Sequence, residues 1–141
     1  MTRMSWDKYG LELAKAASCR SEDPYLKVGA CVLRGDRSII SIGYNGAAPG
    51  VEIPWGDRDA RRGFVIHAEV NALRYCTPEQ TRGGYVYVTH HPCSECIKVI
   101  ASYGITSVMY SDLIDELVYD LSSVAKLAKA FNISLTQEVK E

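Results

Sequence analysis

The sequence predicts an α/β protein, folded as one three-layer α/β/α domain around a mixed sheet of about five strands. Its 141 residues suit a single domain, which we expect to span residues 1–141. Its composition, 47% hydrophobic and 23% charged residues, is sufficient to bury a core. The apolar runs and helical patterns follow the order β-β-α-β-α-β, then a helix and a strand. Helices between the later strands permit parallel neighbours in the sheet.

The N-terminal part predicts a helix followed by a hairpin. Ser5 can cap a helix whose apolar residues recur at helical spacing to about Arg20. Two apolar runs, 27–33 and 38–44, flank residues 34–37, an arrangement typical of a β-hairpin. The Arg-Gly-Asp sequence between them resembles an adhesion motif. Because Gly-Asp between two strands is ordinary turn chemistry, we interpret it as a turn.

The remaining elements follow a long loop. Residues 45–65 show neither helical nor strand periodicity, and loops of this length in compact domains are usually functional. The later pattern predicts three helices and three strands. In chain order they are a helix at 68–76, a strand at 85–89, a helix at 93–103 ended by Gly104, a strand at 106–110, a helix marked by Leu113, Leu117, Leu121, Val124 and Ala128, and a strand at 133–135.

Charge and cysteine content limit the class of protein. Sixteen Lys and Arg against seventeen Asp and Glu give a formal net charge of -1, so we expect a small substrate and no nucleic acid. The apolar runs are far shorter than the ~20 residues of a membrane-spanning helix, so we expect no membrane contact. Five cysteines, an odd number, argue against a disulfide framework and favour the cytoplasm. We interpret Cys31 and Cys76 as buried thiols.

Two short motifs, His-Ala-Glu and Pro-Cys-Ser-Glu-Cys, carry the candidate chemistry. Cys93 and Cys96 are three apart, so both thiols can face one zinc ion from one helical turn. Pro92 suits the start of that helix, where the helix dipole favours thiolates. His67 and Glu69 would point to nearly opposite sides of a regular helix. We therefore expect His67 at the helix cap, outside helical geometry.

These residues predict a catalytic zinc site. His67, Cys93 and Cys96 supply three ligands and leave a fourth position open, which is typical of catalytic zinc. Water there ionises near pH 7, and Glu69 is the carboxylate that can move its protons. A Cys-x-x-Cys pair alone would also fit a redox pair or half of a structural zinc site. A closed structural site would take its fourth ligand from His90, His91 or Cys76.

On these motifs the sequence resembles the deoxycytidylate (dCMP) deaminases of the zinc-dependent cytidine deaminase-like superfamily. The resemblance also rests on Ser21-Glu22-Asp23-Pro24, Val28-Gly29-Ala30, Gly43-Tyr44-Asn45-Gly46 and Tyr87-Val88-Thr89. It implies the fold of that superfamily, one Zn²⁺ per subunit, and hydrolysis of dCMP to dUMP and ammonia. It further implies that Glu69 passes a proton from water to N3 of cytosine and then assists ammonia departure.

The resemblance implies contacts to the substrate as well. Asn45 matches a residue used on the sugar, and Val28 matches one that packs beside the base. The backbone of Ala68 and the carbonyl of His91, which precedes Pro92, match groups that bind the base edge. Residues 45–66 contain neither Cys nor His, so we expect no second zinc of the kind that several relatives carry in an insert there.

Two features leave the substrate range open. His90 and His91 stand where relatives commonly carry an apolar or small residue. Adjacent residues on a strand face opposite ways, so we expect one of them in the pocket. Arg58, Arg61 and Arg62 precede the catalytic helix, and a guanidinium matches phosphate geometry. We expect at least one of these arginines to contact a substrate phosphate; a solvated loop with ion pairs to nearby acids is the alternative.

The segment Tyr44, Asn45 and Gly46 resembles part of the family's effector site. This implies activation by dCTP, inhibition by dTTP, and assembly into a homohexamer. A broader dCMP/dCTP deaminase is one alternative. A tRNA adenosine deaminase is another, but it should have a basic surface that the balanced charge does not provide. A zinc-binding module is the alternative that is not an enzyme, and in such a module Glu69 would have no chemical role.

Overall fold

The computed structural model describes residues 2–115 and 120–140. In these ranges the chain forms six helices: α1 Trp6–Ser18, α2 Arg58–Arg61, α3 Ala68–Leu73, α4 Pro78–Thr81, α5 Ser94–Ser102 and α6 Leu121–Ala130. The same ranges form five strands: β1 Gly29–Leu33, β2 Ile39–Tyr44, β3 Tyr85–His90, β4 Ser107–Asp112 and β5 Ser134–Gln137. The short helices α2 and α4 were not predicted from the sequence pattern.

The five strands form one mixed sheet in the order β2-β1-β3-β4-β5. β1 pairs antiparallel with β2 and with β3, whereas the pairs β3–β4 and β4–β5 are parallel. Val86 lies opposite Val32 on one side and Val108 on the other, so buried β-branched residues run across the sheet centre. The prediction of a mixed sheet with about five strands is confirmed.

Helices cover both faces of the sheet. On one face, Leu11 and Ala14 of α1 pack in a cluster with Tyr87 of β3. On the other face, α3, α5 and α6 bury a larger cluster that includes Ala72 and Ile100. The predicted three-layer α/β/α architecture is therefore confirmed. Among the described residues, no helix has both the length and the apolar character needed to cross a membrane.

Predicted helix caps and turns recur in the structure. The Ser5 hydroxyl accepts a hydrogen bond from the backbone N–H of Lys8 at 3.1 Å and caps α1. Gly104, with φ of 71°, follows α5 in the left-handed conformation that glycine adopts readily. The hairpin turn is also present, although its left-handed residue is Arg37, with φ of 73°, rather than Gly35.

The last predicted helix begins later than its apolar spacing indicated. Leu113 lies outside α6 and is 42% exposed, so that part of the prediction is wrong; Leu117 lies outside the described residues. Asp120, directly before α6, accepts hydrogen bonds from the backbone N–H and the hydroxyl of Ser94. The side chain at the start of α6 thus caps α5.

The cysteine thiols are free. Cys31 and Cys76 are buried, as predicted. Burial raises the pKa of Cys31 to about 12, so this thiol stays protonated at neutral pH. Cys19 is exposed at the C-terminal end of α1.

Candidate metal centre and active site

The N-termini of α3 and α5 converge on one group of side chains. His67 is the N-cap residue of α3 and has extended backbone angles, φ -66° and ψ 152°. Cys93 is the N-cap residue of α5, and Cys96 lies in its first turn. The predicted position of His67 outside helical geometry is therefore confirmed. This backbone conformation lets His67 and Glu69, two residues apart, line the same cavity.

The three candidate ligands fit a zinc ion. The ligand atoms of His67, Cys93 and Cys96 lie within 4.8 Å of one another. The His67 Nδ1 atom is 3.1 Å from the Cys96 sulfur and 3.5 Å from the Cys93 sulfur. Tetrahedral zinc with bonds of about 2.0 Å to nitrogen and about 2.3 Å to sulfur separates such atoms by about 3.5 Å. Within the described residues this is the one such group able to hold a metal ion.

The thiols of Cys93 and Cys96 differ in pKa. The hydrogen bond from Cys96, helped by His67, lowers the pKa of Cys93 to about 4. The same hydrogen bond, together with burial, raises the pKa of Cys96. One thiolate is therefore already favoured at neutral pH, and binding of a metal ion displaces the second proton.

Glu69 is a buried carboxyl beside the candidate ligands. It lies in the first turn of α3 and is 4% exposed. Burial raises the pKa of this carboxyl, and the nearby His67 acts in the opposite direction. A carboxyl with a raised pKa can both accept and donate a proton near neutral pH.

A cavity of about 390 Å³ opens onto these groups. Of the residues predicted to bind substrate, its lining includes Val28, Asn45, Arg61, Arg62, Ala68 and His91. Arg58 lies outside this lining, with its guanidinium carbon 5.5 Å from the ring centroid of Tyr25. Pro92 is buried directly before Cys93. The structure thus brings most of the predicted set to one cavity and leaves Arg58 and Pro92 outside its lining.

Both His90 and His91 line the cavity, so the prediction that one of them faces away is wrong. β3 ends at His90, and the alternation of a strand does not continue to His91. The His91 ring packs edge-on against Tyr110, with ring centroids 4.7 Å apart. Burial lowers the pKa of both imidazoles, which favours their neutral forms.

The segment Tyr44, Asn45 and Gly46 connects the end of β2 to the metal-site helix. The carbonyl of Tyr44 accepts a hydrogen bond from the Asn71 side chain at 2.9 Å. Gly46 and Ile66 exchange backbone hydrogen bonds of 3.1 and 2.8 Å, directly before the N-cap of α3. Of the three residues, Asn45 lines the cavity.

Sequence reasoning missed two acidic residues beside the site. Asp23 is 1% exposed and lines the cavity, and Asp120 caps α5 through Ser94 at 2.8 and 2.5 Å. The Ser94 hydrogen bonds lower the pKa of Asp120. A turn signal around Asp23 was available, since Asp before Pro commonly accepts a backbone hydrogen bond two residues on. The partners of Asp23 that lie far along the chain, Asn45 and Arg61, gave no local sequence pattern that would reveal these contacts.

Comparison with known proteins agrees with this geometry. Residues 4–112 match the family model for the cytidine and deoxycytidylate deaminase zinc-binding region. The chain is 40% identical to the deoxycytidylate deaminase of Mycobacterium phage D29, over 78% of this chain and 97% of that protein. It is 34% identical to the human deoxycytidylate deaminase, over 76% of this chain and 65% of the human protein. The chain thus spans just under two thirds of the length of the human relative.

The fold has a close counterpart among solved structures. The crystal structure of dCMP deaminase from cyanophage S-TIM5 in complex with dCMP and dUMP superposes with a TM-score of 0.78 at 24% identity, and the match covers 98% of this chain and 100% of that one. The family match includes the helix starts that carry His67, Cys93 and Cys96. The chain belongs to the cytidine and deoxycytidylate deaminase family, as its motifs predicted.

Proposed function

We propose that this protein is a zinc-dependent deaminase that hydrolyses dCMP to dUMP and ammonia. One observation carries the proposal: the ligand atoms of His67, Cys93 and Cys96 lie within 4.8 Å of one another, beside a cavity that His67, Cys93 and the buried Glu69 line. Relatives named deoxycytidylate deaminase, 34% and 40% identical to this chain, support dCMP as the substrate.

In this proposal His67 Nδ1 and the sulfurs of Cys93 and Cys96 hold one zinc ion. A zinc ion held there would lower the pKa of water and so supply hydroxide at neutral pH. His67 and Cys93 line the cavity, so an ion held by these residues would be within reach of a substrate bound there. The low pKa of Cys93 supports thiolate ligation at neutral pH.

Glu69 carries the protons of the reaction. It accepts a proton from the attacking water, delivers it to N3 of the cytosine ring, and then helps to protonate the amino group that leaves C4 as ammonia. Because burial raises the pKa of its carboxyl, Glu69 can hold a proton between these steps. It has no role as a zinc ligand.

Four residues of the cavity recognise the nucleoside. Val28 packs beside the base, the backbone of Ala68 and the His91 carbonyl before Pro92 bind the base edge, and Asn45 contacts the sugar. All four line the cavity, which supports these assignments.

We assign the substrate phosphate to Arg61 and Arg62, because both line the cavity. Arg58, outside the lining, has no part in this assignment. Guanidinium groups match phosphate geometry and keep their charge at any physiological pH.

The proposal extends to regulation and assembly. We expect the protein to assemble into a homohexamer. We also expect dCTP to activate and dTTP to inhibit through a site that includes Tyr44, Asn45 and Gly46, because that segment resembles part of the family's effector site. The free thiols support a cytoplasmic protein. Light scattering combined with dCMP titrations at fixed dCTP or dTTP tests this part: we expect a sigmoidal curve that dCTP makes hyperbolic. A monomer with hyperbolic kinetics, unchanged by either triphosphate, would contradict it.

A substrate panel tests the activity. Purified zinc-loaded protein is assayed against cytidine, deoxycytidine, dCMP, dCTP and a tRNA anticodon hairpin. We expect the highest kcat/KM with dCMP. Comparable turnover of dCTP would indicate a broader nucleotide pocket, and deamination of the hairpin would indicate a tRNA adenosine deaminase.

A further inference from the structure

The carboxylate of Asp23 lies among four hydrogen-bond donors in the wall of the cavity. Its Oδ1 atom accepts from the backbone N–H groups of Tyr25 and Leu26, at 2.8 and 3.2 Å. Its Oδ2 atom accepts from Arg61 Nη1 at 2.9 Å and from Asn45 Nδ2 at 3.3 Å. At 1% exposure, this carboxylate has its hydrogen-bonding capacity filled by the protein itself.

Asp23 is one of three groups that fix which way the Asn45 amide points, together with the Leu26 carbonyl and the Val28 N–H. One amide hydrogen goes to Asp23, and the other goes to the Leu26 carbonyl at 2.9 Å. The amide oxygen accepts from the Val28 N–H at 2.8 Å. Because an ionised carboxylate only accepts hydrogen bonds, it requires the NH₂ side of the amide to face it. The Asn45 oxygen has a second acceptor position beyond the one that Val28 fills, and such an acceptor suits a sugar hydroxyl.

Asp23 also fixes the guanidinium of Arg61. Arg61 is 8% exposed, and its guanidinium carbon lies 4.6 Å from the ring centroid of Tyr25. A buried guanidinium requires an anionic partner, and the carboxylate of Asp23 provides it. Since the second oxygen of Asp23 is occupied by backbone N–H groups, this ion pair is not bidentate. The guanidinium therefore keeps donors beyond the one that anchors it.

We infer that Asp23 is a positioning residue that orients Arg61 toward the substrate phosphate and Asn45 toward the sugar. The inference rests on the proposed function. Two recognition contacts, contributed by residues 22 and 38 positions away in the chain, depend on one buried carboxylate. The same carboxylate balances the charge of Arg61 before a phosphate binds.

The test compares dCMP with deoxycytidine, which lacks the phosphate. Asp23→Asn, Arg61→Gln and the double variant are assayed for kcat and KM on both substrates. We expect Asp23→Asn to lower kcat/KM for dCMP by about 10- to 100-fold, mainly through KM, the effect of losing a charged hydrogen bond. The loss with deoxycytidine should be smaller. The double variant should have the same dCMP-to-deoxycytidine ratio of kcat/KM as Arg61→Gln, because Asp23 acts on the phosphate through Arg61.

A second Asp–Arg pair provides the control. Asp7 lies 3.6 Å from Arg37 on the α1 side of the sheet, away from the cavity. Asp7→Asn should therefore leave the ratio of kcat/KM for dCMP to kcat/KM for deoxycytidine unchanged. Zinc content and melting temperature are measured for every variant. If Asp23→Asn alone does not fold, the double variant, which leaves no unpaired guanidinium at residue 61, is compared with Arg61→Gln.

Two outcomes would overturn the inference while the deaminase assignment remains. One is an Asp23→Asn protein that keeps the wild-type substrate ratio. The other is a double variant whose ratio falls below that of Arg61→Gln. Failure of the unaltered protein to deaminate dCMP would instead overturn the proposed function, and the inference with it.

Discussion

Gly43 of β2 lies against the backbone of α3, and alanine there should disturb the metal site. A Cβ atom at Gly43 would lie 2.5 Å from the backbone nitrogen of Ala72 and 3.0 Å from the carbonyl oxygen of Ala68. These are backbone atoms, so no rotamer change relieves the overlap. To restore an ordinary contact of about 3.5 Å, α3 must move away from β2 by about 1 Å. Such a shift moves both His67 and Glu69.

The expected effect of Gly43→Ala follows from that overlap. Overpacking of this kind costs about 1 to 3 kcal/mol. At about 2.1 cal/mol/K per residue, the 141 residues have an unfolding entropy of about 0.3 kcal/mol/K. The melting temperature should therefore fall by about 3 to 10 °C. A catalytic group displaced by about 1 Å should cost about 10²-fold in kcat/KM for dCMP.

Thermal unfolding and dCMP turnover, measured side by side, check this prediction. Gly56→Ala is the matched control, because a Cβ atom there meets nothing within 4 Å and Gly56 is not in the left-handed region. The control should melt and react like the unaltered protein. A Gly43→Ala protein indistinguishable from the control would refute the argument that close contact between β2 and α3 holds the site.

Two further predictions concern the surroundings of the metal site. Asp120→Ala removes both hydrogen bonds to Ser94, so calorimetry should show that the free energy of unfolding falls by about 1 kcal/mol. Chelator competition should show about 10-fold weaker zinc binding. Unchanged zinc affinity would contradict this prediction. Since Ser94 lowers the pKa of Asp120 in the folded protein, the stability difference should persist at pH 7 and shrink below the unfolded-state pKa of about 3.9. In the zinc-loaded protein, a thiol reagent should label the exposed Cys19 but not the buried Cys31. Removal of zinc by a chelator should make Cys93 accessible to the same reagent. Equal labelling of Cys93 with and without metal would contradict its assignment as a zinc ligand.

The metal-site geometry could be predicted because its signal is local. Residues two apart on a regular helix cannot both face one site, so the His-x-Glu motif predicted a helix cap at His67, and its extended backbone confirms this. Pro92 likewise predicted that Cys93 and Cys96, spaced by one helical turn, lie at a helix start. Each of these predictions depends only on the geometry of one helical turn, not on the rest of the fold.

What the sequence could not provide depends on distant contacts. Apolar spacing could not reveal that Asp120, directly before α6, caps another helix through Ser94. Asp23 was missed because its partners Asn45 and Arg61 follow 22 and 38 positions later. Strand alternation also failed at His91, because the spacing does not mark where β3 ends.

In the proposed function, deamination of dCMP requires both Glu69 and a zinc ion held by His67, Cys93 and Cys96. The most direct test quantifies dUMP, ammonia and zinc for the unaltered protein and for Glu69→Gln, which keeps the shape of the side chain but removes its proton transfer. The unaltered protein should hold one zinc per chain and form dUMP and ammonia in equal amounts. Glu69→Gln should keep its zinc and bind dCMP, and its kcat should fall by about 10²- to 10⁴-fold. Near-normal turnover by Glu69→Gln, or formation of dUMP by zinc-free protein, would show that Glu69 and zinc do not have these roles.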